Sequence, residues 1–338
     1  MTHASRFVMS LSIAFAVAAC NDGGSVVDLD GTGGGDAGAG GGKSSEGGGI
    51  ASRTDSVAFP AAFTSSVVSR EDGGAAELSC VGTSRAPAGG EPIDVALRFV
   101  DSADHETQLA GQQISMFPFD AVVPGSCPDF YCVGATTNDQ GIATITVPRG
   151  GWYGFEIAGN DNVVRSFQVH TLAPSGPDEE VQSIATTRDG LKLLATLARL
   201  PREQGASFMA GRVHDCAGIA LENVLVSVVS PGGERMQPRA GRPADGEPGT
   251  VYFDGEDQPM PSPERAAGTG VNGRFAVGGL VPEPGLPYRI EAWAVTEAGR
   301  APVRIACEAA VVLDDSITIV GMHPERDDYE LDHPCRFP

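Results

Sequence analysis

Short apolar runs of period two dominate the chain after about residue 55. Ile93, Val95, Leu97 and Phe99 alternate with Asp94, Ala96 and Arg98. Ala143, Ile145 and Val147 alternate with Thr144 and Thr146, and Val224, Val226 and Val228 with Leu225 and Ser227. Ile317 and Ile319 flank Thr318. Side chains two apart share one face of a strand, so each run reads as a half-buried strand. Turn residues bound the runs, as expected with 45 glycines and 24 prolines. Many short strands with little helix predict an all-β chain of packed sandwiches. One segment departs from this pattern. Leu191, Leu194, Ala195 and Ala198 recur at helical spacing, Thr187 suits the N-cap, Asp189 the positive end, and Pro201 the stop. The spacing predicts a single helix at about 187–200, joining two β-sandwiches.

The two halves repeat one another. Thr137-Asn138-Asp139-Gln140-Gly141 leads into Ala143-Thr144-Ile145-Thr146-Val147, then Gly151 and Tyr153-Gly154-Phe155-Glu156. Thr269-Gly270-Val271-Asn272-Gly273 leads into Phe275-Ala276-Val277, then Gly285 and Tyr288-Arg289-Ile290-Glu291. The Thr-to-Gly spacing is the same, and a Pro-rich insertion around Pro282 and Pro284 lengthens the second copy. Each copy predicts a turn with Gly or Asn at positive φ, a strand, a second turn and a strand opened by tyrosine.

The second copy carries a family resemblance. The run from Gly211-Arg212-Val213-His214-Asp215 through Gly218 to Val224-Leu225-Val226 resembles the opening of a carboxypeptidase regulatory-like domain. Thr269, Gly273, Phe275, Gly285 and Tyr288 are similar to that family's second half. The resemblance covers about 206–320 and implies a transthyretin-like sandwich of about seven strands. It implies no reaction. Residues 57–172 resemble the family more weakly, mainly through 137–156. The expected organisation is a leader at 1–19, a tether at 20–54, an Ig-like sandwich at 55–172 and a linker with its helix at 173–205. A regulatory-like sandwich at 206–322 and a tail at 323–338 complete it.

The leader rests on its own pattern. His3 and Arg6 precede the uncharged run Phe7–Ala16. That run is shorter than the roughly 20 apolar residues a spanning helix needs and suits a signal-peptide core. Val17-Ala18-Ala19-Cys20 resembles the lipobox of bacterial lipoproteins, with valine where leucine is commoner. The resemblance implies lipidation of Cys20, and two or more acyl chains anchor a protein stably. Asn21 to Gly49 is glycine-rich and nearly without large apolar residues, a composition that cannot offset its ordering entropy. As a random coil it would reach roughly 30 Å. Leader, tether and sandwich together resemble surface lipoproteins of myxobacterial type. Outer-membrane placement follows only weakly, from Asn21 standing where an inner-membrane lipoprotein often has Asp.

Charge narrows the partners. The formal charge is −21, and the leader holds only Arg6 of the charged residues, so its loss makes the chain more acidic. This argues against nucleic acid, whose phosphates need Lys and Arg, and fits the solubility of an exported protein. Gly33-Gly34-Gly35-Asp36-Ala37-Gly38 and Gly42-Lys43-Ser44 mimic nucleotide-binding loops but lack the flanking strand and helix. Asp254-Gly255-Glu256-Asp257 and Asp327-Asp328 lack EF-hand spacing.

Beyond Cys20 remain Cys80, Cys127, Cys132, Cys216, Cys307 and Cys335, an even set without zinc-site spacing. Six cysteines allow 15 connectivities, among which sequence does not choose. Position in the expected sandwiches favours Cys216–Cys307 and a Cys127–Cys132 loop staple, leaving Cys80–Cys335.

No catalytic signature occurs. His214 beside Asp215 reads as an outward strand residue followed by a turn aspartate. His323 and His333, with Glu325, Asp327, Asp328 and Asp332 between them, read as a solvated tail rather than a metal site. No metal or cofactor is expected. Phe117, Phe119, Phe130 and Tyr131 fall in a stretch broken by Pro118, Pro124, Gly125 and Pro128. Phe117 and Phe119 suit either a core strand or a surface loop. Phe130 and Tyr131, inside the expected staple, are the candidate contacts for a protein or glycan partner. The expectation is a non-enzymatic envelope lipoprotein with a structural or binding role. The alternative is an accessory subunit of an exported enzyme or transport machine, and a self-contained hydrolase ranks below it.

Overall fold

The computed structural model describes residues 57, 59–83, 91–102, 106–118, 133–173, 180–200, 207–236, 249–256, 259–260, 268–283, 286–324 and 335. Residues 1–56, with the expected leader and tether, lie outside them.

The first half contains α1 (Ala61–Thr64), β1 (Ser69–Arg70), β2 (Pro92–Asp101), β3 (Gln113–Pro118), β4 (Val133–Thr136), β5 (Ile142–Pro148), β6 (Trp152–Ile157), β7 (Arg165–Leu172) and β8 (Glu180–Ala185). After α2 (Arg188–Ala198) come β9 (Ser207–Val213), β10 (Leu221–Glu222), β11 (Leu225–Val229), β12 (Arg235–Met236), β13 (Gly249–Tyr252), β14 (Arg274–Leu280), β15 (Tyr288–Ala294), β16 (Val303–Ala310) and β17 (Ser316–Met322). The fold is all-β apart from its two helices, the helix register holds, and the predicted alternation holds in β2 and β5. Ile93, Val95, Leu97, Phe99, Ala143, Ile145 and Val147 are all buried in one cluster with Tyr153, Phe155 and Ile157.

The halves repeat in three dimensions. β2 pairs antiparallel with β5 and parallel with β8, and β9 pairs in the same way with β14 and β17. β6 lies between β3 and β7, as β15 lies between β11 and β16. The repeated threonine has one job in both copies. Thr137 Oγ1 donates to Leu109 O at 2.7 Å and accepts from Gln112 N at 2.8 Å. Thr269 Oγ1 donates to Leu221 O at 2.7 Å and accepts from Val224 N at 3.0 Å. The glycine that closes each turn sits at φ 71° (Gly141) or 68° (Gly273). A Cβ there would come within 2.7 Å of Phe99 O or Val213 O, so no other residue fits.

The two sandwiches are fused through a shared sheet. Strand order β13-β14-β9-β17-β7-β6-β3-β4 makes eight strands, joined at the centre by parallel pairing of β17 with β7. The β12-β11-β15-β16 sheet packs on one face of the shared sheet, against Met209, Val277, Val320, Met322, Phe167 and Val169. The β5-β2-β8 sheet packs on the opposite face, over Ile114, Met116, Tyr153, Phe155 and Ile157.

The helix does more than connect. Thr187 Oγ1 caps it by accepting from Gly190 N at 3.1 Å, and Arg199 ends it in the left-handed region. Leu191, Leu194, Ala195 and Ala198 cover Phe208, Ala210, Ala276, Ile317 and Ile319 on the face that the four-stranded sheet leaves open. β9 and β17 are therefore buried at every residue instead of alternating. β11 also departs from the expected half-burial. Leu225 packs against Phe63 and Val295, and Ser227 lies under an arginine, so both of its faces are covered.

Candidate functional site

Cys20, Phe119, Cys127, Phe130, Tyr131 and Cys132 lie outside the described residues. Phe117 is a core residue, buried in β3 together with Phe167 and Val169.

The disulfides correct two expected pairings. Cys80 bonds to Cys216, and Cys307 to Cys335, where the sequence suggested Cys216–Cys307 and Cys80–Cys335. The reason lies in what surrounds Cys216. The segment after β1 lies along the turn that follows β9. Cys216 N donates to Glu77 O at 2.9 Å, and Arg70 Nε bonds Asp215 Oδ2 at 2.6 Å. That brings Cys80 to Cys216. Cys307 is in the middle of β16, opposite Glu291 of β15, and belongs to the other sheet of the sandwich.

His214 is not outward. It is 3% exposed and stacks on His323, with ring centroids 4.8 Å apart and planes 11° from parallel. His323 in turn lies 5.0 Å from the ring of Trp152. Burial pushes the His214 imidazole well below its ordinary pKa, and the nearby charges of His323 and Arg212 act in the same direction. Asp215 does not serve it. One carboxylate oxygen accepts from Arg70 and from Glu77 N (3.1 Å), the other from Ala217 N (2.9 Å) and Ile219 N (3.0 Å). It is the turn aspartate of the sequence pattern, with its lone pairs committed. A third histidine, His170, pairs with fully buried Glu308 at 3.2 Å and ties β7 to β16. The described residues contain no group of three or more His, Cys, Asp or Glu able to hold a metal ion.

The outer face of the four-stranded sheet gathers charge of the other sign. Glu291 in β15 is surrounded by Arg289 of its own strand, Arg235 of β12 and Arg304 of β16. Its Oε2 accepts from Arg235 Nη1 at 2.6 Å and Trp293 Nε1 at 3.2 Å. Its Oε1 lies 3.0 Å from Arg289 Nε and 3.6 Å from Arg304 Nη1. Arg235 Nη1 also donates to Ser227 Oγ at 2.6 Å. Burial opposes ionisation of Glu291, but the Arg235 bond and the three guanidinium charges outweigh it and hold its pKa below the ordinary value. Burial lowers the pKa of Arg304, as do the charges of Arg289 and Arg235, while Glu291 pulls the other way. Among the described residues, the equivalent place in the first half shows the pair Glu156–Arg165 at 2.6 Å. The sequence repeat marked Glu156 and Glu291 but gave no sign of the arginines, which come from three different strands.

No family model matches the chain, and no curated protein matches it. The resemblance of 206–320 to carboxypeptidase regulatory-like domains therefore rests on its motif residues. Among solved structures, the TIE protein of Bacillus anthracis is 11% identical at a TM-score of 0.22, over 69% of this chain and 33% of its own. This chain thus spans about a third of that protein. The minor pilin GBS52 of Streptococcus agalactiae is 11% identical at 0.18, covering 71% of this chain and 100% of its own. The 3-chlorocatechol 1,2-dioxygenase of Rhodococcus opacus is 14% identical at 0.21, covering 34% and 66%. Likeness this distant carries no argument about activity or partners.

Proposed function

We propose that this chain is a non-enzymatic cell-envelope protein, lipid-anchored through Cys20 and carrying its paired sandwiches for a structural or binding role. The observation that carries the reading is the pair of disulfides. Cys80–Cys216 and Cys307–Cys335 fasten the segments at both ends of the described body to the turn after β9 and to β16. Such bonds persist in oxidising compartments outside the cytosol. They protect the two places where a sandwich would otherwise fray or be cut. The polar groups that the fold gathers are engaged structurally: Asp215 in a turn, and His170 and Glu308 between sheets. No helix among the described residues is long and apolar enough to cross a membrane. The membrane attachment in this reading is the acyl group on Cys20, with the outer membrane as its place and a protein or glycan as the partner.

Palmitate labelling and detergent partitioning test the anchor. Wild-type protein should incorporate label and enter the detergent phase, and Cys20→Ser should do neither. Unlabelled wild-type protein would remove the anchor from the proposal. Cross-linking and pull-down from intact cells tests the binding role.

A further inference from the structure

We propose that residues 59–80 are a strap that peels from the second sandwich when the anchor is pulled and is stopped by the Cys80–Cys216 bond. The proposal rests on attachment through Cys20. Although the strap precedes the first sandwich in the chain, it is docked on the second. Phe63 is fully buried against Leu225 and Val295, and Phe59 lies beside Trp293 with ring centroids 5.4 Å apart. Val68 N donates to Val295 O at 2.9 Å, and Asn223 Nδ2 to Val67 O at 3.1 Å. β1 pairs with β10 through Ser69 with Glu222 and Arg70 with Leu221. Glu71 N donates to Ala220 O at 3.0 Å, and the Glu71 carboxylate accepts from Arg212 Nη2 at 2.6 Å. Arg70 and Glu77 N hold the Asp215 carboxylate, and Cys80 closes the series on Cys216.

The order of these contacts sets how they yield. Tension from the anchor enters at the strap's first residue. Wherever beyond Cys80 a partner grips the body, the strap therefore lies in series between grip and anchor. Its contacts follow one another in chain order from Phe59 to Cys80, so they break one after another and each resists nearly alone. A four-residue helix and a two-residue pairing are marginal by themselves. Segments held in this way open at the low end of a protein's local stabilities. The pairing of β17 with β7 is different. It runs from Ser316 to Val320 with further strands on both sides, so it yields only with the sheet.

The disulfide ends the peeling. β2 to β8 and α2 all lie inside the loop that Cys80–Cys216 closes, across a separation of 136 residues. While the bond holds, tension between the anchor and a grip beyond Cys216 passes through the two sulfurs and extends none of that loop. The anchored body gives by one strap length, and the first sandwich stays out of the line of tension.

Single-molecule pulling of the chain from Cys20 to Pro338, with one handle on Cys20 and the other at the C-terminus, tests the strap. The handle stands in for the lipid, so the outcome is independent of acylation, which palmitate labelling decides separately. Oxidised wild-type protein should show a reversible first step before the main unfolding event. That step should add no more than about 75 Å, the extended length of residues 59–79. Phe63→Ser should lower the force of the first step and leave the main event where it is, because Phe63 has already left the body by then. Arg70→Gln, a milder change further along the strap, should do the same and replaces Phe63→Ser if that variant does not fold. Cys80→Ser with Cys216→Ser should keep the first step and lengthen the total extension by about 450–490 Å, from the 136 residues released. Circular dichroism checks that each variant is folded. Three results overturn the proposal: a first step in the oxidised protein longer than the strap, no step before the main event, or variants that shift only the main event. Each would make residues 59–80 an inseparable part of the second sandwich.

Discussion

Replacing Thr269 with Val tests whether the repeated threonine holds each sandwich together. Valine keeps the β-branched shape and removes only the hydroxyl. Thr269 is 2% exposed, and Thr137, its counterpart, is 4% exposed. In each case the hydroxyl is acceptor to one backbone amide and donor to one carbonyl. The surrounding bonds also correspond: Asn223 N donates to Thr269 O as Gly111 N does to Thr137 O, and each threonine N–H donates to the carbonyl of the residue after that donor, Val224 or Gln112. Val would leave the amide of Val224 or Gln112 without its acceptor in a place water does not reach. An orphaned buried group costs about 1–3 kcal/mol. The same cost is expected at both sites, because the geometry is the same. Thr269→Ser and Thr137→Ser keep the hydroxyl and lose a methyl, so they should cost about 1 kcal/mol or less. Urea denaturation of the five proteins, wild type included, measures the differences, and an unchanged m-value validates the comparison. If Val proved as stable as Ser at either site, the hydroxyl would not be the element that closes the turn there.

Non-reducing peptide mapping should find Cys80 linked to Cys216 and Cys307 to Cys335. Loss of either bond should cost about 2–5 kcal/mol, more for the separation of 136 residues than for that of 28. His214 should make the fold acid-sensitive. Its folded pKa is depressed, so the unfolded chain takes up its proton first, and stability should fall as pH drops below about 6.5. A fully neutral buried imidazole loses about 1.2 kcal/mol between pH 7 and 5.5, a slope that His214→Gln should flatten and that an unaltered slope would refute. Substituting Phe130 and Tyr131 together with Ser should reduce capture of the partner with little change in Tm. A large drop in Tm would instead make them core residues.

Strand positions, the helix and the repeat were legible because each is a local pattern. Period two places Ile93, Val95, Leu97 and Phe99 on one face whatever the strand pairs with. Thr187, Asp189 and Gly190 define a helix start within one turn. The disulfides were not legible, because Cys80 is held beside Cys216, 136 residues away, by contacts of Arg70 and Glu77 with the Asp215 turn that no local pattern announces. His214 failed for a related reason. Alternation assigns it the solvent side of β9, and only the neighbouring strand, β17, brings His323 over it. The arginine cluster combines β12, β15 and β16, of which only β15 carries part of the repeat, and the repeat does not tell which arginines reach Glu291.

The shared sheet is the feature that local reading could least reach, because its central pairing joins β7 to β17 across the whole second half. β7 and β16 hold the same place in their halves, and so do β8 and β17. The junction joins the β7 place of the first half to the β17 place of the second. Each half therefore has one such edge left, β16 and β8, and a third sandwich added by the same rule would pair there. Edges of this kind invite unwanted association unless they are covered. Both are covered. Ser183, Ile184 and Ala185 of β8 are at most 3% exposed, and Ile305, Ala306, Cys307 and Glu308 of β16 at most 1%. Whole-residue burial at that level leaves little backbone to offer a new strand. The head-to-tail rule that fuses the halves thus meets buried backbone at the middle of both remaining edges.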